Sequence, residues 1–279
     1  MSNESTYASM TGLVNSIIDT ALLVARERSL MPSLVKVWND NNTSTTRIWA
    51  AYTGGTVQTI AESTDMSAQT FTPAAAGTLT PAVHGLAYFL TDRRIRSDPF
   101  GAQQDSGTDL GQLLSVDVDT ALVGDFANLT GGTVGTAGGT LTWVNLQRAS
   151  AYLRTAFGPG PYSVVVHPVQ WYYLTSATSG APQLLPNTQI ANSVIGGFYQ
   201  ASFAGMDFYV DANITSGTAA KGAMFSRDAI ALDIRDPFKI EPQRDASRGG
   251  GGWELNSHIE YAHGVYRPTF GCQLIGTSS

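Results

Sequence analysis

Charge is the scarcest commodity in this sequence. Asp, Glu, Lys and Arg make up 14% of the 279 residues, well below the roughly one quarter usual in soluble domains. From Thr155 to Met206 there is none of the four. A free monomer covers itself with mixed charge to stay soluble, whereas the centres of subunit interfaces are depleted of it. So neutral a chain points to assembly, with a neutral β-rich secreted domain as the plainer alternative. Cys272 is the single cysteine, which excludes an internal disulfide framework and a cysteine-rich zinc site. No apolar run approaches the length of a membrane span. The net charge of −6 is the wrong sign for the basic footprint of a sequence-reading nucleic-acid binder. The opening run after Met1, SNEST, is polar, unlike a secretory signal, and the expectation is a product made and assembled in the cytoplasm.

Catalytic and ligand-binding motifs are also missing. His258-Ile259-Glu260 matches half of a zinc-deaminase signature, but the P-C-x-x-C half that completes such a site is absent. His258 and His263 fall on opposite faces of an alternating strand. His167, after three valines and before Pro168, reads as a satisfied structural histidine. There is no G-x-S-x-G elbow, and the glycines from Gly131 to Gly139 lack the G-K-[ST] of a phosphate-binding loop. Asp117 and Asp119 are two apart on a helix and face different ways. Arg93, Arg94 and Arg96 form the one basic cluster, read as a solvated or ion-paired turn. The expectation is therefore no enzyme, no cofactor and no metal.

The elements that are present mix helices and strands without a βαβ rhythm, which is the signature of an α+β fold. Residues 8–30 carry Leu13, Ile17, Ala21 and Val24 near helical spacing, with Met31-Pro32 ending the helix and a strand over 33–38. Thr91-Asp92 caps a short basic segment. The clearest helix is expected over 107–129, with Leu110, Leu113, Leu114, Val118, Ala121 and Leu122 as one stripe, a cap at Thr108 or Asp109, and Gly131-Gly132 as its stop. Asp117 and Asp125 lie at the edge of that stripe and are candidates for pairing with an arginine across an interface. A Gly/Thr-rich link over 130–140 reads as a hinge or crossover. A second helix is expected over 141–157, with Leu141, Val144, Leu146 and Leu153 inward. A buried strand in PYSVVVHP, a helix opening at Pro168, strands at 208–211 and 221–225, and alternating strands at 229–235 and 253–261 complete the reading. Trp171, Tyr172 and Phe198 are expected in the core.

The most telling stretch runs from Arg47 to Thr91. Its charged residues are Arg47, Glu62 and Asp65. Thr and aromatic residues favour strands here, yet Gly54 to Ala82 holds few large apolar side chains. An isolated hairpin is marginal in water, and so long an arm must gain its partners from another subunit. Arg47, Trp49, Glu62, Asp65 and Phe71 are its candidate contacts.

The order of these elements resembles the major capsid proteins of tailed bacteriophages, the Hong Kong 97-like fold. Four stretches carry the likeness. AQTFTPAAAGTLTPAVHGLAYFLTDRRIRSD is similar to the extended E-loop and its return. LGQLLSVDVDTALVGDFANLTGG resembles the spine helix. SVVVHPVQWYYLTSATSGAP resembles the A-domain strand, turn and helix. AMFSRDAIALDIRDPFKIEPQRD with WELNSHIEYAHGVYRPTFGCQLIG resembles the closing P-domain strands. The resemblance implies an N-terminal arm over 1–42, an E-loop over 43–91, a P-domain with spine helix over 92–140, an A-domain over 141–226, and closing β segments over 227–279. It implies self-assembly into homo-pentamers and homo-hexamers of an icosahedral virion shell around double-stranded DNA, read without sequence specificity. Scaffold, portal and decoration proteins are open as further partners, and no membrane is involved. By the same likeness the neutral block meets its copies around the capsomer axis, with Thr178 and Ser179 as contacts, and Arg93, Arg94, Asp117 and Asp125 as candidates for inter-subunit ion pairs. Some members of the family join the E-loop to a neighbour through a lysine. This arm has none, since the lysines are Lys36, Lys221 and Lys239, so covalent chainmail is not expected. An encapsulin-type nanocompartment shell is the alternative within the same fold, and a secreted lectin or hydrolase the distant third.

Overall fold

The computed structural model describes residues 29–39, 44–52, 56–70, 73–97, 102–176, 199–203, 205–247 and 250–279. The expected helix over 8–30 thus falls almost wholly outside the described residues, as do Phe71, Thr178, Ser179 and Phe198.

Two sheets organise the body. The first has four strands in the order β1 (Lys36–Trp38), β10 (Ile230–Asp245), β11 (Gly252–Val265) and β4 (Ala82–Thr91). β11 is its centre. It pairs antiparallel with β10 from Ile230↔Val265 to Asp245↔Gly252, and antiparallel with β4 from Gly252↔Thr91 to Tyr261↔Ala82. The alternation of β11 holds in the structure: Leu255, Ser257, Ile259 and Tyr261 are buried, and the residues between them are partly exposed. Against this sheet lies α3 (Ala102–Gly124), followed by a 3-10 turn over Asp125–Asn128. Leu114, Val118, Leu122 and Phe126 join α1 (Met31–Leu34), Leu232, Ile259 and Tyr261 in the largest core.

The second sheet has six strands in the order β5 (Thr133–Gly135), β12 (Gly271–Gly276), β9 (Ala220–Phe225), β6 (Tyr162–Val166), β8 (Met206–Val210) and β7 (Tyr199–Phe203). Helix α4 (Trp143–Thr155) covers it, burying Trp143, Leu146, Ala149 and Leu153 against Val164, Phe208 and Leu274. Thr142 caps α4 by accepting from the Asn145 N–H. Helix α5 (Pro168–Ser176) seals the end of β6 with Leu174, whose carbonyl accepts the Trp143 indole N–H at 2.8 Å.

Several expectations change. The strand expected over 33–38 begins at Lys36, because Ser33 and Leu34 close the one-turn helix α1. Helix α3 starts five residues before Gly107, and it runs through Thr108 and Asp109 instead of being capped by them. Leu113 leaves the apolar stripe and is 45% exposed. The buried face is centred on Ser115 and Val118, and at 3.6 residues per turn Leu113 lies about 140° from Val118. The 130–140 link is no free hinge: it contains β5, which pairs parallel with β12. Val144 and Tyr172 face outward, at 62% and 63% exposure. The helices that carry them turn Trp143 and Leu174 inward instead.

A small third sheet stands apart from the body. β2 (Arg47–Tyr52) pairs antiparallel with β3 (Pro73–Leu79), from Arg47↔Leu79 to Tyr52↔Pro73. The stretch expected as one long hairpin therefore divides at Thr80-Pro81. β2, β3 and residues 56–70 form the arm, while β4 belongs to the four-stranded sheet.

Candidate assembly surface

The arm tip has no core of its own. Residues 56–70 are exposed throughout, with Val57 and Met66 at 97% and 74%. Glu62 lies in the turn closed by the Thr64 N–H donating to the Ala61 carbonyl, and Asp65 follows it, both exposed. Glutamine side chains replace a backbone ladder here. Gln69 accepts from the Thr56 N–H at 2.6 Å and donates back to the Thr56 carbonyl at 2.7 Å. Gln58 makes the same two-way contact with Ser67 at 3.2 and 3.3 Å. These amides satisfy the two halves of the tip without burying any apolar surface. The tip thus keeps a defined shape and presents Val57, Ile60 and Met66 outward.

The root of the arm is fixed by charge and aromatic packing. Asp233 on β10 is fully buried, and its carboxylate meets Arg47 Nε at 3.1 Å and Arg235 Nε at 3.0 Å. Arg235 also donates to the Ser44 carbonyl at 2.7 Å. The buried carboxylate ties Arg47 to the body, and Arg235 beside it holds the bend at Ser44 that leads into β2. Above the pair, Trp49 lies 6.1 Å from Trp38 and 5.6 Å from Tyr266, with Trp38 and Tyr266 edge-to-face at 5.5 Å. Arg47 stacks 5.0 Å from the Trp38 ring. Trp49 crosses directly over Gly77, its register partner, and a Cβ there would fall 2.2 Å from the indole. Arg47 and Trp49, expected as contacts, thus have partners within the subunit at the root, while Glu62 and Asp65 are free-standing at the tip.

A second set of polar contacts clamps β4 and β11 to α3. Asp117 accepts from the Tyr261 hydroxyl at 2.8 Å and pairs with His84 Nδ1 at 2.8 Å. Buried Asp125 pairs with His263 Nδ1 at 2.9 Å. This hydrogen bond holds the His263 imidazolium and raises its pKa above the usual histidine range, against the opposing effect of burial. Burial and the Asp117 hydrogen bond push the Tyr261 hydroxyl far up. Both acids thus have histidine partners inside the chain. Arg93 and Arg94 are exposed on α2 (Asp92–Arg96), which Thr91 caps by accepting from the Arg94 N–H. A neighbouring arginine, Arg244, forms a two-pronged bond to Asp92 at 2.7 and 2.6 Å, which holds that carboxyl below the usual carboxylate range.

Sequence reading missed Asp233, Arg235, Trp38 and Tyr266 as the socket of the arm. A signal existed in β10, where Asp233 interrupts the apolar run from Ile230 to Ile234, whose first three residues are fully buried with it. A charged residue at such a position demands partners. His258 and His263 are separated, His258 lying near Asp236 at 3.7 Å and His263 beside Asp125. Among the described residues no group of three His, Cys, Asp or Glu side chains could hold a metal, and no helix is long and apolar enough to cross a membrane.

The chain was compared with known proteins. No curated protein sequence matches it. Among solved structures, it is similar to one of Mycobacterium phage Che8, with a TM-score of 0.70 at 16% identity over 88% of this chain and 90% of that one. It is similar to the capsid of Ralstonia phage GP4, with a TM-score of 0.71 at 10% identity over 91% of this chain and 92% of that one. It is also similar to the virus-like particle from Pyrococcus furiosus, with a TM-score of 0.57 at 11% identity over 93% and 98%. At such identities the likeness establishes the α+β fold of a capsid subunit. The sequence itself matches a family described as phage capsid protein over residues 75–273. That span takes in β4, the long helix α3 and nearly all of both body sheets, and on it the chain belongs to the phage capsid protein family.

Proposed function

We propose that the chain is the major capsid subunit of a tailed phage, assembling into pentamers and hexamers of an icosahedral shell that encloses double-stranded DNA. The observation that carries this reading is the arm. It is rooted by a buried ion pair, shaped by its own glutamine contacts, and exposed along 56–70 with three large apolar side chains facing outward. A segment held so firmly and left so bare is built to be covered by another copy. In this reading residues 43–91 contain the E-loop, α3 is the spine helix of the P-domain, and the six-stranded sheet with α4 and α5 is the A-domain. The neutral block, including Thr178 and Ser179, faces the capsomer axis, where any charge would meet its own image. Exposed Arg93 and Arg94 supply charge to neighbouring subunits. DNA is held without sequence readout, in keeping with the net charge of −6, and the subunit performs no chemistry. A shell around protein cargo shares this fold, and the family match over residues 75–273 supports the phage shell over it.

The test is removal of residues 56–70, joining the arm by a short glycine linker. The parent chain should sediment as large particles, and the deletion as folded small oligomers that keep the helix and strand signal of the parent in circular dichroism. Particles of equal size and yield from the deletion would refute the role of the arm.

A further inference from the structure

The arm tip and helix α2 carry charge of opposite sign. In the tip, residues 56–70, the charged side chains are Glu62 and Asp65, and both are exposed. Arg47, the other charge of the arm, is engaged by Asp233 at the root. On α2 the balance is reversed. Its one acid, Asp92, is held by Arg244, and Arg93, Arg94 and Arg96 are exposed. Arg94 lines a groove together with Asp105 and Asp109. Arg93 and Arg96 are three apart, which places them on one face of the helix. So dense a basic cluster stands out in a chain with a net charge of −6.

The topology separates the two sets within one subunit. The arm leaves from the Ala82 end of β4, and α2 follows its Thr91 end. Ten residues of strand lie between them, a length of about 33 Å at roughly 3.3 Å per residue. The register of β4 with β11 is unbroken over that length, so no bulge folds one end back towards the other. Acids and arginines that complement each other thus stand at the surface of one chain at separate places, where charge can meet a second molecule.

We propose that Glu62 and Asp65 of one copy pair with Arg93 and Arg96 of a second copy. Charge complementarity identifies the occupant: two acids three apart on an exposed turn, and two arginines three apart on an exposed helix face. Two different patches that complement each other join copies head to tail, and such contacts close into rings where the rotation allows it. Nucleic-acid phosphates would cover the arginines but leave the acids of the tip without a counter-charge. The inference rests on the shell reading and names the surface that the arm tip meets.

Sedimentation of the full chain over a range of concentrations at low ionic strength tests it. The substitutions are Glu62→Arg with Asp65→Arg on the tip, Arg93→Glu with Arg96→Glu on α2, and all four together. Exposed ion pairs are weak singly, but reversal sets like charges face to face at every contact. Each reversal should raise the concentration needed for particles about tenfold or more, and high salt should shrink the effect. All four together should return it to within about threefold of the parent. Where a reversal fails to fold by circular dichroism, Glu62→Gln with Asp65→Asn and Arg93→Gln with Arg96→Gln replace it. Each of these should have a smaller effect of the same sign, and both together should cost no more than either alone. Reversals that assemble like the parent overturn the proposal, as does a combined variant no better than the reversals. So does loss of co-purified nucleic acid in the arginine reversal that the tip reversal does not restore, since phosphate would then be the partner. Normal particles from every variant overturn this pairing alone, whereas a parent that stays monomeric overturns the shell reading with it.

Discussion

Removing the carboxylate of Asp233 should release the arm from the body. The side chain is fully buried, and Arg47 and Arg235 are 12% and 11% exposed beside it. Deleting one member of a buried ion pair leaves uncompensated charge in low dielectric and costs about 3–5 kcal/mol. In Asp233→Ala two guanidinium groups lose the buried carboxylate that neutralises them. The arm root contributes little to the main core, so the cost should be met by local opening of the root before global unfolding. At about 1.4 kcal/mol per factor of ten, a 3 kcal/mol loss raises the open population about a hundredfold. Amide exchange of residues 47–50 and 77–79 should accelerate by that factor, while residues 255–261 of β11 stay protected. Tryptophan emission should shift to the red as Trp38 and Trp49 part. Arg47→Met, which retains the apolar stem over Trp38, should do less. Exchange at the root within about threefold of the parent, a difference under roughly 1 kcal/mol, would refute the claim that the buried triad holds the arm.

Other consequences can be measured separately. Gly77→Ala places a Cβ 2.2 Å from the Trp49 indole. Overpacking of this kind costs about 1–3 kcal/mol, and the variant should show shifted tryptophan emission and reduced particle yield in sedimentation. His263 has a raised pKa because of Asp125. A raised pKa means the folded state binds the proton more tightly, so this contribution is complete below pH 6.5, the ordinary histidine value, and declines as pH rises through the elevated one. Urea titrations of the parent from pH 6 to 9 should show that decline, and His263→Gln should flatten it; an identical slope in the variant contradicts the pairing. Burial pushes the Cys272 thiol up to about 12, so a thiol reagent at pH 8 should label the chain only in denaturant. The arm has no lysine, and particles boiled in detergent should run as single chains, whereas a covalent ladder that survives reduction would show an unforeseen crosslink.

How legible this was in the sequence depended on the range of the interaction. Period-two alternation gave β11 residue by residue, because one face meets α3 and the core while the other is half solvated. Thr91 was recognisable as a cap because capping is a contact between near neighbours. The bounds of α3 were not, since Gly107 sits buried within the helix and tertiary packing overrides its weak propensity. Leu113 was misplaced because the buried face turns about Ser115 and Val118 and takes in Asp119, whose partner Leu30 is 89 residues away and is announced by nothing local. The arm was legible through what it lacks, large apolar residues and charge. Its socket was not, because Trp38, Asp233 and Tyr266 come from three distant strands or loops. Asp117 and Asp125 stood out as acids beside an apolar stripe. Their histidine partners came from β4 and β11, whose register with α3 only the fold supplies.

The central claim is that this subunit closes into shells through its arm. Negative-stain electron microscopy of the expressed full chain tests it most directly. The account predicts closed, uniform particles from the parent and none from the chain lacking residues 56–70. A parent that remains a monodisperse monomer at concentrations where its relatives form particles would contradict it.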